Sequence, residues 1–306
     1  MSFIRNVDEL VQRAATRARP AVVACAAPDD GETLRALRMA ADAGIARPLA
    51  VGRRQVAIAV ADTLGISLDG FEFLDVPDQE DAPARAVACV RDGRADILMK
   101  GSLQTRDLLR AALDPAAGLR RRMLSHVALF DAPPLGRPVA VTDAAVNIRP
   151  DLSQKIEIIR NAAEVVRRLG IDRPRVAVIA AVETVRLPAM PATLDAKLLE
   201  RMANAGELGD VLVQGPLALD DAVSLDVVRS KELRGPVAGR ADILVAPEIE
   251  TGNVFYKALT CFAGLEVASI VWGAAAPVVV PARADSARVK FLGVALGAAL
   301  LDEGRP

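Results

Sequence analysis

Two polar clusters in this chain have the residue types and spacing of an anion site. The first is Lys100-Gly101-Ser102, with Thr105 shortly after. Gly101 permits close backbone approach, a helix expected from Gln104 supplies free N–H groups, and Lys100 adds a point charge. The order is not that of a Walker A loop, because the lysine precedes the glycine and the first glycine of that spacing is missing. The second cluster is Val280-Pro281-Ala282-Arg283-Ala284-Asp285-Ser286. It ends an apolar run and opens a helix near Asp285 or Ser286. Arg283 beside that helix start joins a planar guanidinium to a helix dipole, and with Ser286 it again suits phosphate. The purely structural alternatives are a capped helix with a solvated Lys100, and an Arg283 paired on the surface with Asp285 or Glu250.

Two further clusters place polar side chains at strand ends, where they could face a ligand. Leu124-Ser125-His126-Val127 enters an apolar strand after the basic run Arg120-Arg121-Arg122. Ser125 and His126 are candidate donors to an oxyanion or carbonyl oxygen, against a plain turn serine and a partly exposed histidine. The arginine run reads as a solvated face, although a phosphate-bearing ligand would also be attracted to it. Thr142-Asp143-Ala144-Ala145-Val146-Asn147 follows an apolar Val-Ala-Val and leads to Pro150-Asp151-Leu152. Asp151 or Ser153 suits the N-cap of a helix running to 169. Turn chemistry alone accounts for an Asp and an Asn here, yet so many polar groups at a strand end also suit a ligand.

The scarce residues work by exclusion. His126 is the single histidine, so a cysteine nucleophile has only that partner. Cys25, Cys89 and Cys261 each sit in an apolar run and are expected to be buried, reduced thiols. Metal sites built on several His or Cys ligands are excluded, which leaves carboxylate-bound Mg²⁺ as the metal chemistry still open. A net charge of −1 argues against a nucleic-acid or membrane-surface binder, so any anion site must be local. No apolar run has bilayer-spanning length. The opening residues have the pattern of an amphipathic helix (Val7, Leu10, Val11, Ala14) and lack the apolar core of a secretory signal, so residence in the cytoplasm is expected.

The elements that must position these clusters alternate along the chain. Strands are expected at 21–27, 47–52, 71–76, 95–100, 127–131, 138–142, 175–181, 210–214, 241–246, 267–272 and 276–281. Helices are expected at 31–43, 53–65, 80–92, 104–113, 151–169, 192–205, 217–232, 250–262 and 284–300. Such alternation implies mostly parallel sheets with helices on both faces, an α/β fold. The segment ADILMKGSLQTRDLLRAAL at 95–113 returns in fainter form as ADILVAPEIETGNVFYKAL at 241–259. Each copy is a strand feeding a helix, and ligands of open α/β sheets bind outside the carboxyl ends of strands. The turns Lys100-Gly101-Ser102 and Pro247-Glu248-Ile249 are therefore expected site positions. DAPPLGRP at 131–138 is the richest Pro/Gly punctuation. Two domains are expected, one from 1–136 with 275–306 and the other from 137–274.

These residues carry a family resemblance. LMKGSLQTRDLLRAAL, LSHVALF, TDAAVNIRPDLSQK, AAVETVRLPAMPATLDAKLL, QGPLALDDAVS, VAGRADILVAPEIETGNVFYKALTCFAGLEVASIVWGA and PARADS occur in that order, and the resemblance they carry covers nearly the whole chain from about residue 20. The chain resembles the phosphate acetyl/butyryltransferase family, especially its short butyryl-type members. The resemblance implies two α/β domains flanking a cleft, similar to isocitrate and isopropylmalate dehydrogenases. It also implies a short-chain acyl group passed reversibly between CoA and phosphate. No tightly bound cofactor, metal or covalent acyl-enzyme is implied; acyl-CoA and phosphate are the small-molecule partners, and a homodimer is implied.

In that chemistry Lys100, Gly101, Thr105, Arg283 and Ser286 are the expected phosphate residues. Ser125, His126 and Asn147 are candidates for the tetrahedral oxyanion. Asp143 or Asp285 would orient the arginine or assist the thiol proton, with that choice open. Gly252-Asn253 and Asp285 are the candidate CoA contacts. One departure stands out: the family's last motif usually reads Ser-Arg, and here Ala282 precedes Arg283. A lost transition-state donor costs roughly 10²–10³ in rate, so an impaired CoA- or acyl-phosphate-binding homologue is the alternative. An NAD-dependent decarboxylating dehydrogenase of similar fold is a weaker rival, since no GxGxxG follows a strand.

Overall fold

A computed structural model describes residues 3–116 and 118–302. In chain order the elements begin α1 (Val7–Ala15), β1 (Ala21–Ala26), α2 (Gly31–Asp42), β2 (Ala46–Gly52), α3 (Arg54–Leu64), β3 (Glu72–Asp75), α4 (Ala82–Arg91), β4 (Ile97–Lys100) and α5 (Thr105–Leu113). They continue with β5 (Arg120–Ala132), β6 (Arg137–Thr142), α6 (Leu152–Arg168), β7 (Arg175–Ile179), α7 (Ala192–Asn204), β8 (Leu212–Leu217), α8 (Leu219–Val223) and α9 (Leu225–Ser230). The series closes with β9 (Ile243–Val245), α10 (Ile249–Lys257), β10 (Val267–Ala274), β11 (Val278–Val279) and α11 (Ala287–Ala299). The alternation expected from apolar periodicity is present throughout, and the fold is α/β.

The chain divides into two compact units, Asp8–Arg122 with Val267–Pro306 (here the terminal unit) and Met1–Val7 with Met123–Glu266 (the central unit). In the terminal unit the strand order is β3-β2-β1-β4-β11-β10, parallel except for β10 against β11. The chain leaves β1 for β2 on one side and reaches β4 on the other, so the order reverses between β1 and β4. That reversal is the position at which open α/β sheets bind ligands. Helix α11 packs on α2, β10 and β11, and its residues Lys290–Ala298 are all buried. Leu34 and Leu37 of α2 are fully buried, each worth about 1.5–3 kcal/mol in apolar transfer.

The central unit has the order β5-β6-β9-β7-β8, parallel except for the hairpin β5–β6. Its turn is the DAPPLGRP segment, where Pro133–Leu135 makes one 3₁₀ turn and Gly136 takes a left-handed φ of 63°. Helix α6 starts with a capping box between Asp151 and Gln154, which selects Asp151 over Ser153 as its N-cap. Ile158, Ile159, Ala162, Val165 and Val166 form its buried stripe.

The sequence copies at 95 and 241 are structurally equivalent. In the terminal unit Ile97 of β4 lies opposite Val23 of β1, and Asp96 accepts the Val22 N–H at 2.8 Å. In the central unit Ile243 of β9 lies opposite Val176 of β7, and Asp242 accepts the Arg175 N–H at 2.7 Å. Arginines complete both anchors. Arg19 forks onto Asp96 at 2.9 and 3.0 Å; Arg175 forks onto Asp242 at 3.0 Å, joined by Arg137 at 2.7 Å. Each Ala-Asp thus ties the start of one strand to its parallel neighbour.

Several expectations are corrected. The helix expected at 217–232 is two, because Ser224 turns extended (φ −124°) and caps α9 through the Val227 N–H. The strand expected at 276–281 shrinks to Val278–Val279, bounded by prolines that cannot donate to a ladder. The helix expected at 250–262 gives way after Lys257 to a π-helical turn, Ala258–Phe262. Cys261 on that turn is exposed, contrary to its apolar surroundings in sequence, whereas Cys25 and Cys89 are buried as expected. The basic run Arg120–Arg122 opens strand β5, where Arg120 and Arg121 are solvent-facing.

Candidate functional site

At the carboxyl end of β4, Lys100 stands opposite Ala26, the last residue of β1. The chain then turns sharply: the Gly101 N–H donates to the Ala26 carbonyl and the Ser102 N–H to the Ala27 carbonyl, both at 2.8 Å. A Cβ on residue 101 would collide with the Ala27 carbonyl oxygen, so close approach, not a positive φ, demands glycine here. Gln79 donates to the Ser102 hydroxyl at 3.3 Å and steadies the turn. Helix α5 begins at Thr105, and its N-cap residue Gln104 makes no side-chain cap bond. Its first N–H groups therefore lack a side-chain acceptor.

A hollow of about 340 Å³ lies at that uncapped end, lined by Lys100, Leu103, Gln104, Thr105, Pro281, Ala282 and Arg283. The two sequence clusters far apart in the chain thus meet. Lys100 is only 5% exposed. Its Nζ donates to the Gly101 and Leu103 carbonyls, each at 3.2 Å, and no carboxylate lies within ion-pair distance among the described residues. Burial pushes the ammonium below the usual lysine range, and the charges of Lys290 and Arg283 push the same way, while Cys25 and Asp30 oppose them. Arg283 is exposed and pairs with neither Asp285 nor Glu250. The surface-pair alternative for it is therefore not what the fold adopts.

The loop that carries Arg283 is closed by Asp285, whose carboxylate accepts the Ala282 N–H at 2.7 Å while the Asp285 N–H returns to the Ala282 carbonyl at 3.1 Å. Ser286 is the N-cap of α11 and accepts the Val289 N–H. The first amide of that helix, on Ala287, donates to Glu32 at 2.7 Å. A protein hydroxyl and a protein carboxylate thus already occupy this helix start, and the open helix end belongs to α5.

Sequence reasoning missed Lys290. It lies in α11, 3% exposed, with Nζ 3.2 Å from Thr33 Oγ1 and 3.5 Å from Asp30 Oδ1. Asp30 is already the N-cap of α2, bound by the Thr33 N–H and hydroxyl. The available signal was a lysine, with Arg288 the only other charge, in the first turn of a helix that is apolar from there on. Also missed was a second hollow of about 650 Å³ that shares Leu103, Gln104 and Arg283 with the first and extends along α5 past Arg106 and Arg110.

The central unit gathers the other candidates around Asp143, at the end of β6. One carboxylate oxygen accepts the Ala145 and Val146 N–H groups at 2.8 and 3.0 Å. The other accepts the His126 N–H (3.1 Å), the Asn147 N–H (3.3 Å) and the Asn147 side chain (2.7 Å). Five donors saturate the group, so Asp143 braces the strand end and is poorly placed to take a substrate proton. Asn147 sends its second amide hydrogen to the Leu124 carbonyl at 2.9 Å, which commits both its donors to the loop. Ser125 is fully buried and accepts from Asn161 at 2.8 Å, a partner the sequence reading did not find. His126 is 4% exposed, and its ring meets Tyr256 edge-on with centroids 5.8 Å apart.

Gly252 and Asn253 have packing roles in the fold. A Cβ on Gly252 would collide with the Asp143 carbonyl oxygen, and Asn253 donates to the Ala144 carbonyl at 3.1 Å. Helix α10 thereby rests on the Asp143 loop. Its N-terminus is filled by Glu248, which accepts the Glu250 and Thr251 N–H groups and the Thr251 hydroxyl. A hydrogen bond with the Glu250 side chain, followed by that from the Thr251 hydroxyl, holds Glu248 below the usual carboxylate range. The second copy of the strand-helix unit thus carries its own anion, where the first leaves the place open.

Lys100 and Arg283, neither paired with a carboxylate among the described residues, thus stand at an open helix end beside a strand switch point. The family model described as "Phosphate acetyl/butaryl transferase" matches residues 78–298, and the chain belongs to that family. It is 38% identical to the phosphate butyryltransferase of Clostridium acetobutylicum, over 97% of this chain and 98% of that one. It is 39% identical to the phosphate acetyltransferase of Rhizobium meliloti, over 95% of this chain and 92% of that one. Among solved structures it is similar to a branched-chain phosphotransacylase from Enterococcus faecalis V583 (TM-score 0.81, 32% identity), covering 92% of this chain and 98% of that one.

Proposed function

We propose that this chain transfers a short-chain acyl group reversibly between CoA and inorganic phosphate. The observation that carries the reading is the hollow at the open end of α5, where buried Lys100 and exposed Arg283 present two cations without carboxylate partners. A phosphate dianion supplies the missing charge, with Thr105 and the free α5 amides as further donors. CoA enters as substrate, and no tightly held cofactor is needed. Arg106 and Arg110 in the adjoining hollow are suited to the phosphates of its nucleotide.

Phosphate attack on a thioester needs an oxygen, a carbonyl carbon and a leaving sulfur held together, so most of the catalysis is positioning. Ser125 and His126 are the candidates for the tetrahedral oxyanion, with Asp143 and Asn147 setting the strand end beneath them. Ala282 lines the hollow without a hydroxyl, and that observation favours a second reading, an impaired binder of CoA or acyl phosphate. The homodimer and a cytoplasmic home are part of the same proposal. Exposed Phe262 (94%), Val254 and Ile148 (69% each) support an association surface in the central unit.

The test is thiol release from acetyl-, propionyl- and butyryl-CoA with and without phosphate. Phosphate-dependent release is expected. CoA binding without turnover would establish the impaired binder, and neither binding nor turnover would refute both readings.

A further inference from the structure

Acyl transfer from CoA to phosphate must move one proton. The C–S bond breaks, a C–O bond forms to phosphate, and the phosphate hydroxyl proton ends on the departing sulfur. The groups expected to handle it are poorly placed. Asp143 is saturated by five donors, and Asp285 closes the turn that carries Arg283. Ala282 and Cys25 offer no better: the first has no functional group, and burial pushes the second's thiol strongly up.

Lys100 is differently situated. Two of its three ammonium hydrogens go to carbonyls at 3.2 Å, and the side chain lines the hollow assigned to phosphate. Resting on the acyltransferase reading, we propose that Lys100 is the proton carrier of the reaction. Its ammonium protonates the CoA sulfur as the C–S bond breaks, and the resulting amine recovers a proton from the bound phosphate hydroxyl. In the reverse direction the ammonium gives its proton to the phosphate oxygen being released, and the resulting amine takes the thiol proton.

The neighbours of Lys100 suit that task. The groups facing it are Cys25 from β1, Asp30 at the start of α2, Arg283 from the loop after β11, and Lys290 from α11. Two cations outweigh one carboxylate, itself engaged as a helix cap, and Cys25 stays protonated. Burial and the cation excess both lower the cost of giving up the proton. Lys290 is then a positioning residue that acts through Lys100.

The experiment measures phosphate-dependent thiol release against pH for the wild type, Lys100→Arg and Lys290→Met. Arginine keeps the charge but does not deprotonate, so phosphate KM should stay within about threefold while kcat falls about 100-fold or more. Lys290→Met removes a charge that lowers the Lys100 pKa, so the alkaline loss of activity should move to higher pH. Lys100→Ala, inactive alone, should regain turnover with small alkylamines in the assay. Unchanged kcat in Lys100→Arg, or an alkaline limb unmoved by Lys290→Met, would leave Lys100 a charge clamp and overturn the proposal. A wild type without phosphate-dependent release would overturn the acyltransferase reading itself, and the proton role with it.

Discussion

We expect the rate of this enzyme to turn on Ala282. Its backbone is held by Asp285, and its methyl group lines the hollow between Lys100 and Arg283. Serine is isosteric apart from one hydroxyl, and the loop already fixes its direction. We expect Ala282→Ser to raise kcat for thiol release by about 10²-fold, the reverse of losing a transition-state donor, with little change in phosphate KM. Steady-state kinetics on both variants measure it, and an unaltered kcat would show that the hydroxyl is not missed. Sequence singled out Lys100, Arg283 and Asp143 from type and spacing alone. It left open what Asp143 does, because a carboxylate's role depends on the donors around it. Those donors are backbone N–H groups, which carry no signature in sequence.

At the scale of elements the two strand-helix copies differ in one decisive respect. Helix α5 begins with no side-chain cap, whereas α10 is capped by Glu248. Since a helix start favours negative charge, the copy without its own anion is the one left to bind another. The strand anchors differ as well. Asp242 has a fully buried side chain holding two arginines and a backbone N–H, while Asp96 holds one arginine that is 40% exposed. Asp242→Ala should therefore cost more, about 3 kcal/mol, because it leaves two half-buried guanidinium groups and a backbone N–H without their shared acceptor. Asp96→Ala should cost less, about 1–2 kcal/mol. Urea unfolding orders them, and equal losses would contradict the account. The periodic pattern identified nearly every strand and helix, since most bury one regular face. It failed where a single Ser224, a pair of prolines or a π turn interrupts that pattern.

For the whole molecule, the exposed apolar residues bear on association. Phe262 stands on the π turn after α10, next to the exposed Cys261, and presents nearly its whole ring to solvent. Covering such a ring in a second copy is favourable, and replacing it with a charge makes the same contact costly. The wild type is expected at dimer mass in light scattering and Phe262→Asp at monomer mass. A wild type already monomeric would remove the homodimer from the proposal. No helix among the described residues is long and apolar enough to cross a membrane.

By itself the sequence determined the α/β class, the duplicated strand-helix unit, the residues around Lys100 and Arg283, and the family. These are properties of local spacing, of apolar period and of short ordered motifs, and such properties are written linearly in the chain. Only the tertiary structure decided which clusters share a site and which groups are already spent. It brought Arg283 to Lys100 across more than half the chain, gave Asp143, Asn147, Ser286 and Glu248 to their own loops and helix ends, and set Lys290 among the groups facing Lys100. The physical reason is that hydrogen-bond saturation and desolvation depend on neighbours in space. A lysine at a strand end can serve as the anion holder and proton carrier that we propose only when the fold buries it without a carboxylate.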